Sequence, residues 1–170
     1  MLNTAVQHLR DLPDGDAGIM DTLWAMRALV DDALDASRVV RGIAEAILGN
    51  APTRRDQLLA VFSWLTKTVR FAADPAGVEH VRHPFVMLIE IHRTGTTSGD
   101  CDDMATLGAA LLKSVGFPTA FIVASNRPTG DFNHVLFGAY INGILITLDP
   151  QQKMFDRLPD TLTRKYVFDL

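Results

Sequence analysis

The dipeptide Asn142-Gly143 sits between two β-prone runs, His134 to Ile141 and Ile144 to Asp149. Both central residues of a type I′ turn need positive φ, which Asn and Gly tolerate best, so this pair between apolar runs is the strongest short hairpin signal a sequence carries. A two-residue loop also fixes the register. With Ile141 opposite Ile144, Leu136 falls opposite Asp149 and His134 opposite Gln151. Side chains share a face at every second residue, so His134, Leu136 and Asp149 point the same way. His134 and Asp149 are then diagonal neighbours, with backbones about 7 to 8 Å apart, a gap their side chains can close. A histidine oriented by a carboxylate follows from the turn.

A possible proton donor for that histidine lies upstream. Gly99-Asp100-Cys101-Asp102-Asp103-Met104 carries the only cysteine of the chain. Beyond it Met104, Leu107, Leu111 and Val115 recur at helical steps, and Gly116-Phe117-Pro118 gives a helix stop. Cys101 therefore sits at or just before a helix N-terminus, where unpaired N–H groups and the helix dipole favour a thiolate over the free thiol at about 8.5. Nearby carboxylates work the other way, and Asp100, Asp102 and Asp103 surround it. Asp102 and Asp103 also suit the first turn of a helix, and stabilising that turn is the role read for them.

Each of these residues has an ordinary use as well. A lone cysteine is commonly a small buried hydrophobe, a histidine can end a strand, and Asp149 before Pro150 can form a turn. Together, in the order Cys101, His134, Asp149, they supply what a thiol triad needs: a nucleophile, an imidazole that takes its proton and later protonates the leaving group, and a carboxylate that holds the ring and tautomer. The Cys101 amide is the obvious first donor to an oxyanion.

The run from Gly99 to Thr119, then His134-Val135, then Leu148-Asp149-Pro150 resembles the transglutaminase-like superfamily of papain-type cysteine enzymes, over roughly residues 54 to 150. The resemblance implies an α+β fold with the cysteine helix packed on an antiparallel sheet, and a catalytic triad carried onto Cys101, His134 and Asp149. Many members carry an aromatic residue, often Trp, near the Leu-Asp-Pro segment; here Gly143-Ile144-Leu145-Ile146 fills that place. Members hydrolyse peptides or amides, crosslink proteins, or are inactive, and similar stand-alone domains occur among phage and prophage proteins. The expected function is hydrolysis of a peptide or amide bond through a thioester. Crosslinking by a lysine acceptor, an idle binding or assembly module, and an arylamine acyltransferase are the alternatives.

Before the cysteine the chain reads as helical. Ile19, Leu23, Met26, Val30 and Leu34 give a first helix; Val40, Ile43, Ala44 and Ile47, between Ser37 and Gly49, a second; Leu58, Phe62, Leu65 and Val69, after a capping box at Thr53 and Asp56, a third. Trp24 and Trp64 fall inside these patterns as core or partner-facing residues. Pro84 starts a short helix to about Ile91. Asp11 to Gly18 is an acidic turn without the later Glu of a calcium loop, Ala73 to Gly77 is a turn, and Thr94 to Gly99 has the composition of a flexible loop. After the core, Thr119 to Ala124 reads as a buried strand and Ser125 to Asp131 as a polar loop. Residues 151–159 leave the sheet, and Thr161 to Leu170 forms a last strand or a tail.

The chain is expected to be a single domain, 1–170, with a mainly helical lead over 1–92 and the catalytic core over 99–150. At 170 residues with 48% hydrophobic content it can bury one core, and a net charge of −4 argues against nucleic-acid binding by a basic surface. The partner implied is a protein or peptide substrate. No cofactor is called for. His80, His83 and His92 match no ligand pattern, so surface or packing roles and no bound metal are predicted. One cysteine makes no internal disulfide, and no export signal or membrane span is evident, so a reducing, cytoplasmic setting is expected.

Overall fold

The computed structural model describes residues 6–9, 16–35, 37–74, 79–125, 132–158 and 162–170. Three helices come early: α1 (Asp16–Asp35), α2 (Ser37–Leu48) and α3 (Arg54–Thr68). Thr53 caps α3 as expected, its hydroxyl oxygen accepting from the Asp56 amide at 3.1 Å and donating to the Asp56 carboxylate at 2.6 Å. Gly49, at φ +51°, ends α2. A fourth helix, α4 (Pro84–Thr94), has Pro84 in its first turn and runs three residues past the expected Ile91, to an αL cap at Gly95.

The strands are β1 (Val6–Leu9), β2 (Val69–Phe71), β3 (Glu79–Arg82), β4 (Thr97–Gly99), β5 (Thr119–Ser125), β6 (His134–Ile141), β7 (Ile144–Asp149), β8 (Met154–Phe155) and β9 (Arg164–Asp169). The last five form one antiparallel sheet in the order β8-β7-β6-β5-β9. Two small pairs lie outside it, β1 with β3 antiparallel and β2 with β4 parallel.

The hairpin has the expected register, with Ile141 opposite Ile144 and Phe137 opposite Leu148. Its turn residues Asn142 and Gly143 have φ +52° and +78°, the signs a type I′ turn requires.

Three readings shift, and one left open is settled. Val69, assigned to the third helix, instead opens β2, because it pairs with Thr97. The loop-like 94–99 stretch contains β4 for the same reason. Residues 151–159 do not simply leave the sheet: Met154 and Phe155 return beside Asp149 and Leu148 as β8. The final stretch is a strand, β9, paired along β5. Residues 75–77 of the expected 73–77 turn, most of the polar loop at 125–131, and 11–15 of the acidic turn lie outside the described residues.

Helix α5 (Cys101–Ser114) is the centre of the molecule, with every residue from Asp102 to Leu112 buried. Sequence periodicity marked one apolar stripe, but α5 is enclosed by α1, α2, α3 and α4 on one side and the sheet on the other. Its contact with β6 is close: a Cβ on Gly108 would come within 2.3 Å of the Phe137 ring. Alternate residues of the sheet, Phe121, Val123, Val135, Phe137 and Leu148, join this core, while Ile122, Ala124 and Leu136 form a second cluster on the far face. Burying aromatics such as Phe121 and Phe137 contributes about 3–5 kcal/mol each, judged by truncation to Ala. Among the described residues, no helix is long and apolar enough to cross a membrane.

Candidate active site

Strand β4 leads into α5 through Asp100, which occupies the N-cap position with extended backbone and no capping bond from its side chain. The Ala72 amide donates to the Gly99 carbonyl at 3.0 Å, tying this entry to the end of β2. Cys101 is thus the first residue of a helix whose body is fixed in the core, and it is half-buried as a free thiol. Rigidity comes from α5 and accessibility from its end.

The hairpin brings the other two candidates to the same place. His134 heads β6 and Asp149 closes β7, and their side chains meet with His134 Nε2 2.7 Å from Asp149 Oδ2. The second carboxylate oxygen, Oδ1, accepts from the Gln152 amide at 3.0 Å, so the turn after β7 holds the carboxylate from behind. Asp149 is almost wholly buried, whereas the His134 side chain keeps 17% of its surface. His134 and Cys101 line the same cavity, and the thiol is among the groups that raise the ring's pKa. Since Nε2 is engaged by Asp149, Nδ1 is the nitrogen left to serve the thiol. Burial pushes the His134 pKa down, but Asp149 and Cys101 outweigh it and raise the ring to about 9.

The three acidic neighbours of Cys101 do more than complement a helix dipole. Asp103 is buried, and its Oδ1 accepts from the Arg82 amide at 2.7 Å, joining α5 to β3. Burial raises its pKa to about 7 against the lowering effect of that bond. A Cβ on Gly99 would lie 2.6 Å from Asp103 Oδ2, so glycine is needed there for the carboxylate to pack. Asp102 is 1% exposed, and its Oδ1 accepts from the Asp103 amide at 2.6 Å.

Asp102 Oδ2 and Asp100 Oδ1 find no donor among the other described residues. Burial first, and then the neighbouring Asp100 carboxyl, raise the Asp102 pKa well above the carboxylate range. Asp100, Asp102 and Asp103 each offer an oxygen within 4.8 Å of the others, the chemistry that would hold a cation.

Of the three upstream histidines, His83 is fully buried, accepts from the Phe85 amide through Nδ1 and faces Asp32 Oδ2 at 2.9 Å through Nε2. It caps α4 and ties it to α1, the packing role expected. The His80 amide donates to the Asp74 carboxylate. The contribution of α1 to the site was missed by sequence reasoning: Ile19, Leu23 and Met26 line a cavity that Cys101 and His134 share. No local signal could have revealed it, because the opposite wall lies about a hundred residues away.

A thiol at the start of a buried helix, facing the imidazole of an antiparallel hairpin, places this chain in the papain-like class of α+β folds. The transglutaminase-like superfamily matches residues 41–150, and the chain belongs to it. A search of the curated proteins finds no match. Among solved structures it is similar to LapG of Legionella pneumophila in its calcium-bound form (18% identity, TM-score 0.55), covering 86% of this chain and 83% of that one. It is also similar to a candidate cysteine protease from Cytophaga hutchinsonii (18% identity, TM-score 0.55), over 76% of this chain. A third is a candidate protease from Parabacteroides distasonis (14% identity, TM-score 0.54), over 74% of this chain. The match spans 42% and 26% of the length of the last two. At these identities the shared property is the fold.

Proposed function

We propose that the protein is a cysteine-dependent acyl-transfer enzyme that hydrolyses a peptide or amide bond. The observation that carries this reading is the His134 imidazole, held by the buried Asp149 carboxylate on one nitrogen and lining the same cavity as the Cys101 thiol. With the proton already resting on His134, Cys101 Sγ attacks the carbonyl carbon as the thiolate, forming a C–S bond and an oxyanion that the Cys101 amide can stabilise. The C–N bond then breaks, and the proton on His134 goes to the departing amine. Water, deprotonated by His134, releases the acid and regenerates the thiolate. Asp149 keeps the ring oriented and offsets its charge throughout. Water is preferred to a lysine acceptor because it needs no second binding surface.

The test is mass spectrometry after exposure to acyl-donor probes, comparing the parent with Cys101→Ser and His134→Ala. An adduct on Cys101 that both substitutions remove supports the reading. An unreactive parent, or a labelling rate equal to that of a free thiol and unchanged in His134→Ala, overturns it.

A calcium ion fits the acidic trio beside this thiol. Hard oxygen donors suit calcium, and the two orphaned oxygens of Asp100 and Asp102 are of that kind. One similar structure, LapG of Legionella pneumophila, is calcium-bound. Calcium would supply positive charge to compensate the buried carboxylates, while Asp100, Asp102 and Asp103 hold it and fix the entry to α5. A thermal midpoint that rises in millimolar calcium, falls in EGTA and loses this response in Asp102→Asn supports the site; no response in the parent overturns it.

A further inference from the structure

The cavity next to Cys101 has a volume of about 230 Å³. That is below the roughly 300–1,000 Å³ that encloses a drug-sized ligand, and it is room for a single side chain, up to an aromatic one. Its walls are Ile19, Leu23 and Met26 of α1, facing Val123 of β5, with Phe132 and Val135 beside His134. Thr22 also borders it, but its hydroxyl donates to the Gly18 carbonyl at 3.2 Å and is spent within its own helix. The charged groups lining the cavity besides His134 are Asp100 and Asp102, next to the sulfur. Among the described residues no lysine or arginine lines it, so an anionic side chain would lose its hydration against the apolar wall.

We propose that this cavity receives the side chain of the acyl donor, that it selects an uncharged apolar residue such as Leu or Met over Gly and over charged residues, and that α1 is the element that sets this preference. The inference rests on Cys101 being the nucleophile. A thioester keeps the donor half of the substrate on the sulfur while the amine departs, so the pocket beside the sulfur is where the retained half lies. Helix α1 is built to hold its wall in place. Lys113 of α5 reaches Asp31 at 3.1 Å and His83 reaches Asp32 at 2.9 Å, both near its C-terminal end, while Leu23, Met26 and Val30 are buried in the core. The wall also lies before residue 41, where the match to the superfamily begins, so selectivity is written in a part of the chain outside the shared core.

The experiment uses peptidyl acyloxymethyl ketones that differ only in the residue beside the ketone: Gly, Leu, Met, Phe, Lys or Glu. The Cys101 sulfur displaces the carboxylate, forming a C–S bond as the C–O bond breaks, and intact mass gives the rate for each probe. Leu and Met are expected to react about tenfold or more faster than Gly, the scale of discrimination an apolar pocket provides, with Glu slowest. Ile19→Trp should shrink the Leu-to-Gly ratio by a similar factor. Ile19→Ala should move the preference toward Phe, a gain that misfolding cannot imitate. Equal rates across the probes, a Lys probe faster than Leu, or ratios untouched by both Ile19 variants would overturn the pocket assignment while His134-dependent labelling left the thiol chemistry standing. Labelling by no probe, together with iodoacetamide alkylation unaffected by His134→Ala, would overturn both.

Discussion

Two histidine–aspartate pairs of similar length stand in this molecule, and they differ in what is buried. His83 and Asp32 lie 2.9 Å apart with the ring fully enclosed and half of the carboxylate in solvent; His134 and Asp149 lie 2.7 Å apart with the carboxylate enclosed and the ring partly open. Both ring nitrogens of His83 are occupied, one by Asp32 and one by the Phe85 amide. His134 spends only Nε2 on its carboxylate and lines the same cavity as Cys101. A carboxylate–imidazole pair is therefore not a site in itself. The second nitrogen, and which partner keeps contact with water, separate a helix cap from a candidate base.

The sharpest way to break this contrast is to remove each ring. His134→Ala is expected to slow acyl-probe labelling of Cys101 by about 10²–10⁴-fold, the usual worth of a positioned base, with the rate measured by intact mass. Asp149→Asn comes next. It keeps the shape of the contact but not the charge or the preferred tautomer, so labelling should fall by about tenfold or more while the far-ultraviolet dichroism is unchanged. His83→Gln should do the reverse, leaving the labelling rate as it was and costing about 1–3 kcal/mol of stability through a lost cap and a buried polar group without its partner, read as a lower denaturant midpoint.

The smallest effect is on pH dependence. Because the folded-state pKa of His134 is raised to about 9 from an ordinary 6.5, the stability it contributes is fully present below pH 6.5 and is lost as pH rises through about 9. The thermal midpoint of the parent should decline over that window, more steeply than in Asp149→Asn.

The contrast also explains what the sequence could and could not tell. The His134–Asp149 pair was legible because Asn142-Gly143 fixes a register within sixteen residues, and local turn chemistry propagates along a hairpin. The helix start at Cys101 was legible from the apolar spacing that follows it. The His83–Asp32 pair was not, since its partners lie 51 residues apart and meet only when α4 packs on α1.

Strands β2 and β4 are three residues each, too short for a period, and exist because they pair with one another. Thr94 to Gly99 consequently reads as a loop. The burial of Asp102 and Asp103 was hidden for another reason: charged residues at a first helical turn are ordinarily solvated, and only the enclosure of α5 on both sides seals them. The wall that α1 gives the cavity is of the same tertiary origin.

The claim that Cys101, His134 and Asp149 act as one unit is tested most directly by non-additivity. Iodoacetamide alkylation of Cys101 is measured in the parent, His134→Ala, Asp149→Asn and the double variant. If the carboxylate acts through the ring, Asp149→Asn slows the parent but adds nothing once His134 is gone, so the double variant matches His134→Ala. Slowing by the full product of the two single effects, or four equal rates, would contradict the account.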